Sequence, residues 1–294
     1  MKLWELLWRS DLKEKFVIQK FLCYFLWCSR EELWLDMDKE LSDELIQKVL
    51  VAYKSYVEDK KPLEFILWHV DFFGKEFIVN EATLIPRPET EYMIIAATEY
   101  IQLHDTFSKD NLLLDIGTGC GVLWISVLLQ NPDYFSELIF SDYFENALEI
   151  AKKNYNKLII DYSWKVQFFQ SDLLDFLIHK TSESPFWNTV LVANLPYIPE
   201  EMFEANVADN VKKREPKPAF VWWEDWLDYY RKMFEQIFSL NLKAWGIRPK
   251  NLVMFLEMMT WQVDILRQAF GDRIEFEEVK TFHFNIRIVK AWLK

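Results

Sequence analysis

Four consecutive residues, Asn194-Leu195-Pro196-Tyr197, hold the most chemistry in this chain. An NH2 group on a planar carbon is a poor nucleophile because its lone pair is delocalised, so it has to be aimed and not merely bound. Two acceptors can hold its two N–H bonds. One is the side-chain oxygen of Asn194; the other is the carbonyl of Leu195, which Pro196 keeps extended. Tyr197 offers a flat face to the planar group. A carbon that is already activated, such as a methyl on a sulfonium, then needs positioning more than a general base. A plain strand-end turn would accept the same four residues.

Three further clusters suit a nucleoside-like ligand. Asp115 is followed by Gly117-Thr118-Gly119-Cys120-Gly121, a G-x-G-x-G loop whose glycines permit positive φ and close backbone approach. A dinucleotide-binding loop would need glycine at position 122, which is Val122. Asp142 has acceptor positions for both hydroxyls of a ribose. Asp172, with Leu173 beside it, suits the amino edge of an adenine. For both aspartates the alternative is a helix cap.

These residues sit at the ends of predicted elements. Apolar runs at Leu112–Leu114, Leu138–Phe140, Val166–Phe169, Val190–Ala193 and Leu252–Leu256 read as strands, with Ile274–Val279 and Phe284–Val289 as the last two. Helical patterns lie between them, including one over Asn146–Asn156. The alternation predicts a parallel sheet with helices on both faces, and ligands bind such sheets beyond the carboxyl ends of the strands. Asp115 with the glycine loop, Asp142, Asp172 and Asn194 all fall there. Upstream, residues 1 to about 60 carry helical spacing, with Ser42 placed to start a helix. Phe72–Val79 reads as a short strand pair, and Pro86 and Pro88 around Arg87 force extended backbone.

Bulk composition narrows the function. The chain has 294 residues, 51% hydrophobic and 27% charged, which is a foldable composition. No apolar run reaches the roughly 18 residues of a membrane span, and the first residues lack a signal-peptide pattern, so a cytoplasmic location and no membrane partner are expected. A net charge of -12 opposes a broad nucleic-acid footprint. Cys23, Cys28 and Cys120 are too few and badly spaced for structural zinc, and no metal is expected.

Several stretches together resemble the HemK/PrmC-type release factor glutamine methyltransferases over most of the chain. They are Phe72-Phe73-Gly74, LIPRPETE (Leu84 to Glu91), DIGTGCG (Asp115 to Gly121), Asp142, SDLL (Ser171 to Leu174), NLPYIP (Asn194 to Pro199), EPKPAF (Glu215 to Phe220), EDWLDYYR (Glu224 to Arg231) and LEM (Leu256 to Met258). The resemblance implies an α/β fold, a Rossmann-like seven-stranded methyltransferase sheet with a small N-terminal helical domain. It implies a helical substrate-docking domain over 1–70, a hairpin linker over 71–90 and a methyltransferase domain over 91–294. It also implies S-adenosylmethionine as cofactor and, as substrate, the glutamine of the Gly-Gly-Gln motif of a class-1 peptide chain release factor, methylated on its side-chain nitrogen.

On this reading Asp115, Gly117, Thr118, Gly119, Cys120, Gly121, Asp142, Asp172, Leu173 and Asn194 surround the cofactor. Asn194, Leu195, Pro196 and Tyr197 hold the substrate amide, with Asn194, Pro196 and Tyr197 as the catalytic set. Arg87 and Glu89 are expected to order the linker near the site. Rival readings are an adenine-N6 methyltransferase acting on nucleic acid and a catalytically inactive binding homologue.

The chain departs from the family pattern at Leu195, where a proline is usual, and at a set of tryptophans. Trp68, Trp222, Trp223, Trp226, Trp245 and Trp261 stand at or beside positions where relatives carry glycine. The chain has 6 Gly and 14 Trp, against roughly 20 Gly expected at average usage. The expectation is that several of these tryptophans are UGA codons that the source organism reads as glycine; the other reading is an aromatic-rich protein.

Overall fold

The computed structural model describes residues 1–104, 110–160, 164–178, 186–221, 227–240, 242–279 and 286–294. Trp222, Trp223, Trp226 and Phe284 therefore lie outside the described residues. The chain forms two compact units, one of Met1–His69 with Ala208–Arg214 and one of Val70–Val207 with Glu215–Lys294.

The first unit is helical: α1 (Leu3–Leu7), α2 (Lys15–Leu26), α3 (Arg30–Leu35), α4 (Asp43–Val57) and α5 (Leu63–Leu67). Ser42 caps α4 by accepting from the Leu45 amide at 3.2 Å. Leu6, Ile18, Phe21, Leu22 and Val49 are fully buried in a core of the unit's own.

The second unit opens with a hairpin of β1 (His69–Phe72) and β2 (Lys75–Ile78). Its turn residues, Phe73 and Gly74, both have positive φ, as a two-residue turn between right-twisted strands requires. Then follow α6 (Glu91–Leu103), β3 (Leu112–Ile116), α7 (Val122–Gln130), β4 (Glu137–Asp142), α8 (Glu145–Leu158), β5 (Lys165–Gln170), β6 (Thr189–Ala193) and α9 (Glu200–Asn206). The chain returns to the first unit as α10 (Asp209–Arg214), a return that no feature of the sequence announces. It closes with α11 (Asp228–Ser239), β7 (Leu252–Met259), α12 (Thr260–Phe270), β8 (Ile274–Val279) and β9 (Ile286–Leu293).

The seven strands β3 to β9 form one sheet in the order β5-β4-β3-β6-β7-β9-β8, flanked by helices, a Rossmann-like arrangement. β3 and β6 are buried at every residue, as expected of strands covered on both faces. β8 alternates instead, with Ile274 and Phe276 buried and Glu275 and Glu277 exposed. The sheet is not wholly parallel, contrary to the expectation from the sequence: β9 runs antiparallel to both β7 and β8. Only residues 280–285 separate β8 from β9, and a parallel crossover needs a dozen or more. Among the described residues no helix is long and apolar enough to cross a membrane, and no cluster of His, Cys, Asp and Glu has the makings of a metal site.

Two tryptophans, Trp27 and Trp68, have the left-handed backbone for which glycine is the usual choice. Trp27 ends α2 in the left-handed region at φ 52°, and the Cys28 amide reaches back to the Cys23 carbonyl at 3.1 Å, a Schellman end. Trp68 ends α5 at φ 61°. Trp124 is fully buried on Phe140, and its indole N–H has no hydrogen-bond partner among the described residues. Trp245 differs: it is buried and its indole donates to the Leu177 carbonyl at 2.6 Å. Trp27 is 90% exposed, so little packing opposes its removal. Trp27→Gly is therefore expected to raise stability by about 1 kcal/mol, read from urea unfolding midpoints. A midpoint that stays put or falls would show that the tryptophan suits this cap.

Candidate active site

The register of β3 with both neighbours sets the site. Ile116 pairs with Ser141 of β4 and with Ala193 of β6. The next residue along each chain segment is Gly117, Asp142 and Asn194, so three chemically distinct residues emerge side by side at the carboxyl ends of three neighbouring strands. They line a cavity of about 270 Å³ together with Thr90, Thr118, Gly119, Cys120, Asp172, Leu173, Leu195, Pro196 and Tyr229.

The glycine loop is tied to β4 by backbone. The amides of Gly117 and Thr118 both donate to the Ser141 carbonyl at 2.9 Å. Gly119 donates to Asp142 Oδ2, and Phe144, just before α8, donates to Oδ1, each at 2.9 Å. Asp142 thus serves the following helix and also faces the cleft, with acceptor capacity left on both oxygens. Burial raises its pKa, while the amides of Phe144, Gly119 and Tyr143 pull the other way. A Cβ on Gly119 would meet nothing within 4 Å among the described residues, so the loop leaves open space there, whereas one on Gly117 would strike Leu195 Cδ2 at 2.9 Å.

Three of the residues expected around the ligands sit off the cleft wall. Asp115 is fully buried beneath the loop: its Oδ2 accepts from the Thr118 hydroxyl at 2.8 Å, and its Oδ1 has no hydrogen bond of ordinary geometry among the described residues. Burial pushes its carboxyl up to about 7, the Thr118 hydrogen bond opposing and the charge of Asp142 adding to the rise. Gly121 starts α7 at φ 84°, and a Cβ there would meet Trp124 Nε1 at 2.9 Å; its role is to turn the chain. Tyr197 turns its hydroxyl to Glu257 Oε1 at 2.9 Å and packs its ring on the core. Asp172 reaches the cleft but pairs with Lys232 of α11. Cys120 lines the cavity with its thiol pushed up to about 12 by burial, so it stays protonated.

Residues that sequence reasoning left without a role hold these in place. Asn154 of α8 is fully buried; its amide donates to the carbonyls of Cys120 and Ile78, at 2.8 and 2.9 Å, and its oxygen accepts from the Ile78 amide. One side chain thus fastens the glycine loop to β2. Arg87 forms the expected anchor of the linker: its guanidinium pairs with Glu215 Oε1 at 2.8 Å, and Glu215 Oε2 accepts from the Ile85 amide at 3.0 Å. α11 braces both ends of the cleft. Gln236 accepts from the Leu174 amide and donates to Asp175, and the Tyr230 hydroxyl accepts from the Leu195 amide and donates to the Glu257 carbonyl.

Glu257 is the least expected neighbour. It is 2% exposed on β7, behind Asn194. Burial raises its pKa, opposed by hydrogen bonds from Thr90, Tyr197 and Asn194, with the charge of Glu89 adding to the rise. The readable signal was a single carboxylate inside the apolar run Leu252–Met259.

The raised value at Asp115 has a direction in stability. The folded chain keeps a proton that the unfolded chain, near 3.8, gives up. The stability this confers is full below about pH 4 and is lost as pH rises through about 7, with a slope of at most about 1.4 kcal/mol per pH unit. Asp115→Asn is expected to flatten that part of the profile. Urea midpoints at about pH 5 and about pH 8 check it, and an unchanged difference between the two would refute the assignment.

Comparison with known proteins agrees with this geometry. No family model matches the chain. The release factor glutamine methyltransferase of Bacillus anthracis is 36% identical over 222 residues, 74% of this chain and 72% of the relative. That of Bacillus subtilis (strain 168) is 30% identical over 230 residues, 76% and 74%. In fold, the catalytic domain of human METTL16 in complex with an RNA hairpin matches with a TM-score of 0.52 at 14% identity, covering 85% of this chain and 82% of that one. The N-terminal domain of human METTL16 in complex with SAH matches at 0.51 and 16% identity. With relatives this similar over most of both chains, the protein belongs to the release factor glutamine methyltransferase family.

Proposed function

We infer that the chain transfers a methyl group from S-adenosylmethionine to the side-chain amide nitrogen of the Gly-Gly-Gln glutamine in a class-1 peptide chain release factor. The observation that carries this reading is Asn194 beside Gly117 and Asp142 in one cleft, in a chain of this family. The cleft suits the cofactor on its own terms: open space over Gly119, spare acceptor positions on Asp142 for a ribose diol, and an apolar wall at Leu173.

When bound, S-adenosylmethionine supplies a methyl carbon already activated by its sulfonium. The chain's own residues do the rest. Gly117, Thr118 and Gly119 would give the cofactor a backbone floor, Asp142 would accept from the ribose hydroxyls, and Asp172 with Leu173 would border the adenine. Asn194 Oδ1 and the Leu195 carbonyl accept the two N–H bonds of the glutamine, and Pro196 fixes the backbone that carries them. With both N–H bonds held on acceptors, these residues would aim the nitrogen at the cofactor and would offset the positive charge that builds on it. Tyr197 holds the motif in place through Glu257 and Gln262, its carbonyl accepting from Gln262 Nε2 at 2.7 Å. A cytoplasmic location goes with this substrate.

Mass spectrometry of a class-1 release factor incubated with enzyme and cofactor is expected to show a gain of about 14 daltons on the glutamine. An unmodified glutamine beside methylated RNA or DNA would overturn the reading in favour of adenine methylation. Asp142→Asn is expected to weaken cofactor binding about tenfold or more by calorimetry, through loss of a charged acceptor. Unchanged affinity would remove Asp142 from the ribose.

A further inference from the structure

β6 and β7 stop pairing at Ala193 and Leu256. Just beyond that pair, one chain segment presents the Leu195 amide and the other the Glu257 carbonyl, and Tyr230 of α11 bonds to both. Its hydroxyl accepts from the Leu195 amide at 3.4 Å and donates to the Glu257 carbonyl at 2.5 Å. A phenol has one proton and spare lone pairs, so the two bonds are compatible and each has only one possible direction. Tyr230 is fully buried and Leu195 nearly so, which leaves no bulk water to replace either bond.

Leu195 has a backbone N–H, which the proline usual at this position lacks. A buried N–H without an acceptor is costly, and Tyr230 supplies the acceptor. With that amide held, and with Pro196 restricting the backbone before it, both peptide planes that meet at Leu195 are fixed. The direction of the Leu195 carbonyl is fixed with them. On the far side of Pro196, Tyr197 is tied to the same strand end, its hydroxyl donating to Glu257 Oε1 at 2.9 Å and its carbonyl accepting from Gln262 Nε2 at 2.7 Å. Without the Tyr230 hydroxyl only the Tyr197 side stays anchored, and rotation of the peptide between Asn194 and Leu195 would shift both acceptors of the cleft together.

We propose that Tyr230 is a positioning residue for methyl transfer: its hydroxyl bridges the parted ends of β6 and β7 and, through the Leu195 amide, aims the Leu195 carbonyl at the substrate. The proposal rests on the reading of that carbonyl as an acceptor for the glutamine amide. Tyr230 acts through Leu195 and touches no reacting atom.

The test compares four proteins: wild type, Tyr230→Phe, Leu195→Pro and the double variant. Phenylalanine keeps the ring and removes the hydroxyl, while proline removes the donor that the hydroxyl serves. With methyl transfer to a class-1 release factor read by mass spectrometry, Tyr230→Phe is expected to lower kcat about tenfold or more and to leave KM for the cofactor within about twofold. In the Leu195→Pro background the same change is expected to lower kcat by no more than about twofold, because no N–H is left unmet. A ring that only fills space would cost equally in both backgrounds; that outcome would rule out the bridge and leave the functional reading standing. Amide hydrogen exchange at Leu195, followed by NMR without cofactor or substrate, needs no turnover. Slow exchange is expected in the wild type, and exchange about tenfold faster or more in Tyr230→Phe. Exchange in the wild type as fast as in an open loop would overturn the bridge even if a variant does not fold. If the wild type leaves the glutamine unmethylated, the functional reading fails and takes the proposal with it.

Discussion

The structure depends on the register of one central strand. Because β3 pairs in step with β4 on one side and β6 on the other, a glycine, an aspartate and an asparagine leave the sheet at the same height. Hydrogen bonding of buried backbone enforces that step, since strands covered on both faces have no water to satisfy a slipped pairing. Everything else at the cleft adjusts the direction of groups whose position the sheet has already set.

Those adjustments come from buried polar side chains, each of which has a definite donor and acceptor count. Asn154 uses both ends of its amide to lock the glycine loop against β2. Glu215 takes the Arg87 guanidinium on one oxygen and a backbone amide on the other. Asp142 divides its two oxygens between the loop and the start of α8. In an apolar interior an unmet donor or acceptor is costly, so such networks have few alternative arrangements. The polar interior accordingly contributes geometry more than stability.

What the sequence made legible follows from distance along the chain. The glycine loop, Asp142, Asp172 and Asn194 could be read because each stands at the end of its own apolar strand, a local pattern. Thr90 and Asn194 are 104 residues apart, and Ile85 and Glu215 are 130 apart, so no local pattern joins them. The antiparallel β9 was missed for a related reason: its apolar residues look the same in either direction, and only the short link to β8 decides. Tyr197 and Asp115 were assigned by type and neighbourhood, yet the structure spends one on Glu257 and buries the other under the loop. The left-handed tryptophans at positions 27 and 68 show the opposite case, a residue type at odds with its backbone.

The place of β9 also matters to a chain made from its amino end. β7 pairs with β6 on one side but has no neighbour on the other until residues through Leu293 have left the ribosome. Until then the strand that carries Glu257 is an open edge, able to pair with another nascent chain and exposed to water at the back of the cleft. Synthesis of the whole second unit therefore precedes completion of a site whose visible residues all lie before position 230.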